Sequence, residues 1–216
     1  MISIIIPAFN EEAYIESTIN SIKIQDFKDY EIIVICDGCT DKTYEKVKNV
    51  VDKVIVLPKK QGPAIARNKG AKIAKGEVLV FLDADTKITN KVLEDFYKNK
   101  DNYIAGTAKI KPSSNKIKHK IFMTMKNYII CPFGVTNGIL FCKKELFVRT
   151  MGFPEIKKRE EGIFVRQLIK NGKFYISKQS VINSTRRFDK KGYIKVLIYW
   201  IKESIKPSNE EYEAIR

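Results

Sequence analysis

The sequence predicts an α/β protein of one domain, with a mostly parallel central sheet and helices on both of its faces. Short apolar runs alternate with amphipathic stretches from Ile2 to Leu82, which is typical of consecutive strand–helix–strand units. The runs are rich in Ile and Val and almost free of polar residues, as in strands that are buried on both sides. With 216 residues, 44% of them hydrophobic, the chain can bury a core of its own. We expect the domain to span residues 1–206, followed by a frayed acidic tail over 207–216.

The first four strands are predicted at regular intervals, each followed by a helix or a polar turn. β-Branched runs indicate the strands, and apolar residues three or four positions apart indicate the helices. The expected strands are residues 2–6, 31–35, 54–57 and 78–82. The expected helices are residues 11–24, 41–51 and 61–74. Pro63 falls in the first turn of the last helix, where a missing N–H costs little.

The alternation loosens after Asp85, and the second half of the chain has a mixed pattern. Helices are predicted over residues 89–99, 116–130, 144–150, 160–170 and 192–206. Strands are predicted over residues 103–110 and 138–142. We find no linker and no internal repeat, so the two halves are expected to share one domain.

The composition restricts the function without defining it. The chain has 40 Lys and Arg against 25 Asp and Glu, a formal net charge of +15. Such a charge favours an anionic partner, namely nucleic acid, an anionic membrane surface or a phosphorylated substrate, although solubility alone would also account for it. Four cysteines are too few for a disulfide scaffold of this size, which indicates a reducing, cytoplasmic compartment. No apolar run approaches the roughly 20 residues of a membrane span, so a spanning protein is not expected.

Acidic and polar residues follow three of the predicted strands. They are Asn10 and Glu11 after the first strand, Asp37 after the second, and Asp83 and Asp85 after the fourth. Parallel strands place their carboxyl ends at one edge of the sheet, where ligands bind in such folds. Alternation in an extended segment points Asp83 and Asp85 to the same side, so that they can share a divalent cation. Helix caps and ordinary turns are the alternative interpretation of each cluster.

Four segments together resemble glycosyltransferase family 2. They are Pro-Ala-Phe-Asn-Glu-Glu from Pro7, Cys-Asp-Gly-Cys-Thr-Asp-Lys-Thr from Cys36, Gly-Pro-Ala-Ile-Ala-Arg-Asn-Lys-Gly from Gly62, and Phe-Leu-Asp-Ala-Asp-Thr from Phe81. Their order and spacing resemble the family over residues 1–90, and the resemblance extends to about residue 190. It implies a GT-A fold, with a nucleotide-sugar-binding half at 1–90 and an acceptor and catalytic half at 91–190. It also implies inverting transfer from a UDP- or GDP-sugar to a hydroxyl or phosphate acceptor, which can be lipid-linked, with Mn²⁺ or Mg²⁺ as cofactor.

The resemblance also implies roles for single residues of the first half. Three residues are assigned to the nucleoside pocket, namely Pro7, Asn10 and Glu11. Asp37 would accept a hydrogen bond from the base. Arg67 would contact the nucleotide or its diphosphate. Asp83 would hold the ribose or a metal-bound water, and Asp85 would ligate the metal. Cys39 stands where the family usually has Ser. Because that Ser serves mainly the turn, we expect little effect on function.

The catalytic base is expected from the second half. Met151-Gly152-Phe153-Pro154, followed by Arg159-Glu160-Glu161-Gly162, resembles the Gly-Phe segment and the acidic pair of the family. The resemblance assigns Glu161 as the base and Glu160 as its neighbour. A carboxylate suits this role because the acceptor hydroxyl loses its proton only as the bond to the nucleotide breaks. Charges opposing a helix dipole are the alternative interpretation.

Basic segments further along the chain have two interpretations each. Arg186 and Arg187 resemble a basic–aromatic motif of shorter family members and could clamp the diphosphate, or could form a solvated turn. In the stretch 116–130, four residues form an apolar stripe between lysines: Ile117, Ile121, Met125 and Tyr128. The stretch 192–206 also combines an apolar stripe with lysines. Each stripe could lie on an anionic membrane surface or pack on the sheet.

Two other function classes are open at this point. A sugar-phosphate nucleotidyltransferase shares the strand–helix layout, but it needs a Gly-rich loop after the first strand that Pro7-Ala8-Phe9-Asn10 does not provide. A non-catalytic nucleotide- or nucleic-acid-binding module fits the charge, yet acidic strand ends would repel phosphates without a metal. We therefore expect no nucleic acid partner. The residues indicate neither the sugar nor the oligomeric state.

Overall fold

The computed structural model describes residues 1–156, 159–183 and 192. The strands are β1 Ile2–Ala8, β2 Tyr30–Asp37, β3 Lys53–Leu57, β4 Val78–Leu82, β5 Thr86–Ile88, β6 Ala105–Pro112, β7 Ile139–Lys143 and β8 Phe174–Asn183. The helices are α1 Ile15–Lys23, α2 Thr43–Val47, α3 Pro63–Ile73, α4 Val92–Asn99, α5 Ile117–Met125, α6 Lys144–Arg149 and α7 Glu160–Ile169. A π-helical turn, Lys126–Ile130, and a 3₁₀ turn, Cys131–Phe133, continue α5.

The strands form one sheet in the order β3-β2-β1-β4-β7-β6-β8-β5. β1 lies between β2 and β4 and is parallel to both, and β3 extends the parallel part beyond β2. The carboxyl ends of β1, β2 and β4 therefore share one edge, as predicted. β7 runs antiparallel to β4, with Ile139 opposite Leu82, so the residues just before β7 lie at this same edge.

Each face of the sheet is covered by helices, which confirms the predicted α/β architecture. Ile4 and Ile6 of β1 pack in the cluster that includes α1 and α4, whereas Ile5 packs in the cluster that includes α3, α6 and α7. The sequence of β1 is almost continuously apolar because its side chains are buried on both faces of the sheet.

The far part of the sheet differs from the prediction. β6 is parallel to β8 with a register shift between Ala108 and Lys109, and β8 is antiparallel to β5. Neither β5 nor β8 was expected from the sequence. Their hydrophobic patterns are weak, and pairing partners distant in sequence hold them in place.

Several predicted features lie outside the described residues. They are Arg186, Arg187, residues 193–206 of the closing helix and the tail 207–216. Within the part of the chain that the structure describes, no helix combines the length and apolarity needed to cross a bilayer.

Candidate active site at the carboxyl edge of the sheet

Arg67, near the start of α3, lies at the centre of an ion-pair cluster. One guanidinium nitrogen, Nη1, donates to Glu160 Oε1 at 3.1 Å, and the other, Nη2, donates to Asp83 Oδ1 at 3.0 Å. Nη2 also lies 3.4 Å from Glu161 Oε2. The guanidinium carbon lies 5.2 Å from the centre of the Phe153 ring. The cluster thus joins the end of β4 to the first turn of α7, which are distant in the sequence.

The charges in this cluster do not balance, because three carboxylates surround one guanidinium. Burial by itself would lower the pKa of Arg67, but the charges of Glu161, Asp83 and Glu160 outweigh it and raise the pKa above its ordinary value. Arg67 is therefore a fixed cation. The surplus negative charge favours a further cation at this edge.

Glu161 is the more accessible of the two glutamates. A quarter of its side-chain surface is accessible, compared with 12% for Glu160. Thr136 Oγ1 donates a hydrogen bond to Glu161 Oε1. Burial raises the pKa of Glu161, although Arg67 and the Thr136 hydroxyl oppose the rise. A partly exposed carboxylate with a raised pKa is suited to accept a proton.

The turn before β7 supplies contacts that sequence reasoning missed. The Gly138 carbonyl accepts the N–H of Asp83 at 2.9 Å. Gly138 has φ of +76°, and a Cβ there would lie 2.6 Å from Thr86 Oγ1 and 3.2 Å from Asp83 Oδ2. A larger residue would be strained at this φ, and its Cβ would displace Thr86 Oγ1 and press on Asp83. The segment Thr136-Asn137-Gly138 before an apolar run was the available signal, but its relevance depends on the antiparallel course of β7.

The surroundings of Asp83 fit a hard divalent cation. Asp83 and Asp85 are both half-buried at this edge. Among the described residues, the buried oxygens Thr86 Oγ1 and Asn183 Oδ1 have no hydrogen-bond partner, and both residues adjoin Gly138 beside Asp83. Oxygen donors of this kind are preferred by Mg²⁺ and Mn²⁺. In the described part of the chain, histidine, cysteine, aspartate and glutamate form no group of three that could hold a metal ion.

The loops after β1 and β2 are joined by hydrogen bonds. Asn10, at φ 53°, accepts the Thr40 N–H on Oδ1 at 2.8 Å and donates from Nδ2 to Thr40 Oγ1 at 3.0 Å. The Glu11 N–H donates to Thr43 Oγ1 at 2.8 Å. Pro7 is half-buried in β1 opposite Ile35. The predicted nucleoside residues therefore lie together at one end of this edge.

Asp37 has a structural task at the same edge. Its Oδ1 accepts the Gln61 N–H at 2.7 Å, and its Oδ2 accepts the Gly62 N–H at 2.8 Å. These bonds fix the start of α3, the helix that carries Arg67. Each carboxylate oxygen has a second lone pair, and acceptance of a hydrogen bond from a base stays a prediction.

Cys36 and Cys39 form a thiol pair rather than a disulfide. The Cys39 thiol donates to the Ala8 carbonyl at 3.3 Å, as a serine hydroxyl would. Its hydrogen bond with Cys36 lowers the pKa of Cys39 to about 7, even though burial opposes the shift. The thiol thus substitutes for the expected turn hydroxyl.

The fold is that of the GT-A class. Residues 3–154 match the family model for glycosyl transferase family 2. The chain belongs to this family.

Two curated relatives illustrate the similarity. An uncharacterized glycosyltransferase of Haemophilus influenzae is 35% identical over 136 residues, which are 61% of this chain and 48% of the relative. The UDP-Glc:alpha-D-GlcNAc-diphosphoundecaprenol beta-1,3-glucosyltransferase WfaP of Escherichia coli is 31% identical over 189 residues, 79% of this chain and 71% of WfaP. The chain thus spans about half of the length of the first relative and 71% of the length of the second.

Solved structures agree with the fold. Residues 1–349 of Staphylococcus aureus TarS in complex with UDP-GlcNAc align with a TM-score of 0.70 and 25% identity, covering 86% of this chain and 58% of that one. The mannosyltransferase PcManGT of Pyrobaculum calidifontis, in complex with GDP-Man and Mn²⁺, also gives 0.70, with 93% of this chain and 64% of that chain covered. At 17% identity the second likeness shows the fold alone.

Proposed function

We propose that the protein transfers a sugar, with inversion, from a UDP- or GDP-sugar to an acceptor that is linked to a lipid. The observation that carries the proposal is the Arg67 cluster, which brings Asp83 of the first half against Glu161 of the second. Membership of the family supports the reaction class. The relative WfaP, a glucosyltransferase named for its diphosphoundecaprenol-linked acceptor, supports the lipid-linked acceptor.

Glu161 is the proposed base of the reaction. The acceptor oxygen attacks the anomeric carbon from the face opposite the nucleotide, and a new C–O bond forms. The C–O bond to the β-phosphate breaks, and its electron pair leaves with the nucleoside diphosphate. The proton of the acceptor hydroxyl moves to Glu161, and Arg67 and Thr136 hold this carboxylate in place. Glu160, less exposed and bound to Arg67, acts as a positioning neighbour.

Asp83 and Asp85 are proposed to hold Mn²⁺ or Mg²⁺. Such an ion would neutralise the charge of the diphosphate, which the carboxylates of this edge would otherwise repel. Pro7, Asn10, Glu11 and Asp37 are proposed to line the nucleoside site, and Asp83 to reach the ribose or a metal-bound water. Arg67, Arg186 and Arg187 are proposed to interact with the diphosphate. Arg67 would do so through its positive charge at a distance, because its N–H groups already contact carboxylates.

Titration of UDP and GDP with and without metal tests the donor site. We expect binding with Mn²⁺ or Mg²⁺ to be much stronger than binding in EDTA, and Asp85→Asn to remove most of the difference. Equal affinity with and without metal would refute the assignment of Asp83 and Asp85.

Substitution of the two glutamates tests the chemistry. Glu161→Gln should lower kcat by on the order of 10²–10⁴-fold and leave UDP-sugar affinity unchanged. Glu160→Gln, which removes the same charge from the next residue, should cost much less turnover. Below the pKa of Glu161 the base is protonated, so wild-type kcat should fall on the acid side with an inflection above the ordinary value of 4.5. The opposite ranking of the two variants would move the base to Glu160.

We propose that the protein acts at the cytoplasmic face of the membrane, as a peripheral membrane protein. A lipid-linked acceptor confines the reaction to this interface, and the charge of +15 favours an anionic surface.

A further inference from the structure

Helix α5 is buried on one side and carries exposed apolar residues on the opposite side. His119, Phe122 and Met123, at helical spacing, are buried against the sheet. On the other side Ile117 is 74% exposed and Ile121 is 65% exposed. For these positions the structure contradicts the alternative in which the stripe packs on the sheet. A helix with a second apolar face in solvent indicates a missing partner for that face.

The exposed apolar surface continues beyond α5. Tyr128 and Ile129 of the π-helical turn are exposed, and Phe133 of the 3₁₀ turn is 82% exposed. Scattered apolar side chains are normal on a surface, but five large ones within 17 consecutive residues form a patch. We call this patch, Ile117, Ile121, Tyr128, Ile129 and Phe133, the α5 surface.

The charged residues within the sequence that carries the α5 surface have one sign. Lys116, Lys118 and Lys120 are exposed between and beside its isoleucines. Between Asp101 and Glu145 the chain carries eight lysines and no acidic residue. Lys109 lies 4.9 Å from the centre of the Tyr128 ring and donates to its hydroxyl. Such a surface is complementary to an anionic partner that also accepts apolar side chains.

The α5 surface adjoins the candidate active site. Two residues after Phe133 comes the exposed Val135, and the next residue, Thr136, donates to Glu161. A Cβ at Gly134 would lie within 3.0 Å of Val165 on α7, the helix that begins with the two glutamates. The chain therefore leads from the patch directly to the proposed base.

We propose that the α5 surface docks onto an anionic lipid bilayer. Its apolar side chains enter the boundary between headgroups and acyl chains, and its lysines contact lipid phosphates. The interleaving of lysines with exposed isoleucines favours a bilayer over a second copy of this chain, which would bring like charges together. The consequence for catalysis rests on the proposed function: docking would hold a lipid-linked acceptor beside Glu161.

Flotation with vesicles tests the proposal on the full chain. The probes are phosphatidylcholine vesicles with and without phosphatidylglycerol, at low ionic strength. The variant Ile117→Ser/Ile121→Ser/Phe133→Ser should lose on the order of 10- to 100-fold in partitioning to the anionic vesicles. The matched control Ile24→Ser/Val56→Ser/Val148→Ser changes three residues that are also more than half exposed but lie on other elements, and it should float like the wild type.

The lysines are tested separately. Lys116→Gln/Lys118→Gln/Lys120→Gln should lose about 100-fold in partitioning to anionic vesicles. Lys23→Gln/Lys59→Gln/Lys72→Gln, which changes the net charge equally at exposed sites, should lose far less. Melting temperatures of all four variants should stay near that of the wild type, because the altered side chains are exposed.

Three results would overturn the proposal. The wild type could fail to bind anionic vesicles. The α5 variants could bind vesicles as strongly as their controls. The α5 variants could instead abolish a concentration-dependent dimer. Failure of the proposed function is distinguishable, because it would remove sugar transfer to a water-soluble acceptor while leaving flotation intact. Docking-deficient variants should retain that soluble transfer.

Discussion

Two glutamates at opposite ends of the sheet, Glu31 buried and Glu161 partly exposed, have opposite electrostatic environments. Glu31, in β2 at the amino end, accepts hydrogen bonds from Ser3 Oγ at 2.7 Å, Lys53 Nζ at 3.0 Å and the Lys75 N–H at 2.5 Å. Glu161, at the carboxyl end, shares one guanidinium with two other carboxylates. Glu31 therefore has three hydrogen-bond donors of its own, whereas Glu161 shares the single Arg67 cation with Asp83 and Glu160.

The pKa values of these two groups move in opposite directions. Burial would raise the pKa of Glu31, but the three donors outweigh it and lower the pKa. At Glu161 burial prevails over Arg67 and Thr136, and the pKa is raised. The amino end of the sheet thus holds a stabilised charge, and the carboxyl end holds a charge that is ready to take up a proton. This contrast separates a structural carboxylate from a candidate catalytic one.

The largest expected effect comes from removing the cation at the carboxyl end. Arg67→Met leaves Asp83, Glu160 and Glu161 without their shared partner and should lower the free energy of unfolding by about 3–5 kcal/mol. In the folded variant, the loss of the Arg67 charge should raise the pKa of Glu161 further. A raised pKa gives stability at low pH that is lost as the pH rises, so the variant should recover toward wild type in acid. Urea unfolding over a pH series measures this.

The control for that experiment is Arg149→Met, which removes an exposed arginine. Its cost should be within about 0.5 kcal/mol at every pH. If Arg67→Met showed an equally small loss, the cluster would not be the link between the two halves.

The second expected effect concerns the turn that supports Asp83. Gly138→Ala adds a Cβ 2.6 Å from Thr86 Oγ1 at φ +76° and should cost about 2–4 kcal/mol, through backbone strain plus overpacking. Gly192→Ala has nearly the same φ, +74°, with no described atom within 4 Å, and it isolates the backbone term. Gly138→Ala should also weaken Mn²⁺-dependent UDP binding. Equal costs for the two variants would show that contact with Asp83 and Thr86 is unimportant.

The sequence predicted more of the carboxyl end of the sheet than of the amino end around Glu31. β1, β4 and α3 were predicted within about two residues, because β-branched runs and Pro63 are local signals. The acidic pair at the start of α7 was also found. Glu31 was assigned only to a strand, since its donors, Ser3, Lys53 and the Lys75 N–H, come from three separate segments. Thr136 and Gly138 were missed for the same reason, as their contacts depend on the antiparallel pairing of β7 with β4.

A third prediction tests the amino end. Glu31→Gln removes the charge that Lys53 and the neighbouring N–H groups stabilise, and it should cost about 1–2 kcal/mol near neutral pH. The pKa of Glu31 is lowered in the folded state, so its contribution is present above the unfolded value and is lost as the pH falls through the folded value. The difference between wild type and variant should therefore shrink in acid. The exposed Glu155→Gln should show no such pH-dependent difference.

The smallest expected effect compares two glycines in helices, one at each region. Gly162 follows Glu161 in the first turn of α7, and a Cβ there would meet no described atom within 4 Å. Gly162→Ala should raise stability by about 0.5 kcal/mol, because alanine loses less backbone entropy in a helix. A Cβ at Gly70 of α3 would lie 2.5 Å from Ile5 Cγ2 and 2.7 Å from Ile35 Cδ1, so Gly70→Ala should instead cost about 1–3 kcal/mol. Thermal melting of both variants measures the signs. A destabilised Gly162→Ala would mean that the space beside the proposed base is filled in solution, and that the helix carrying it is as tightly packed as the helix carrying Arg67.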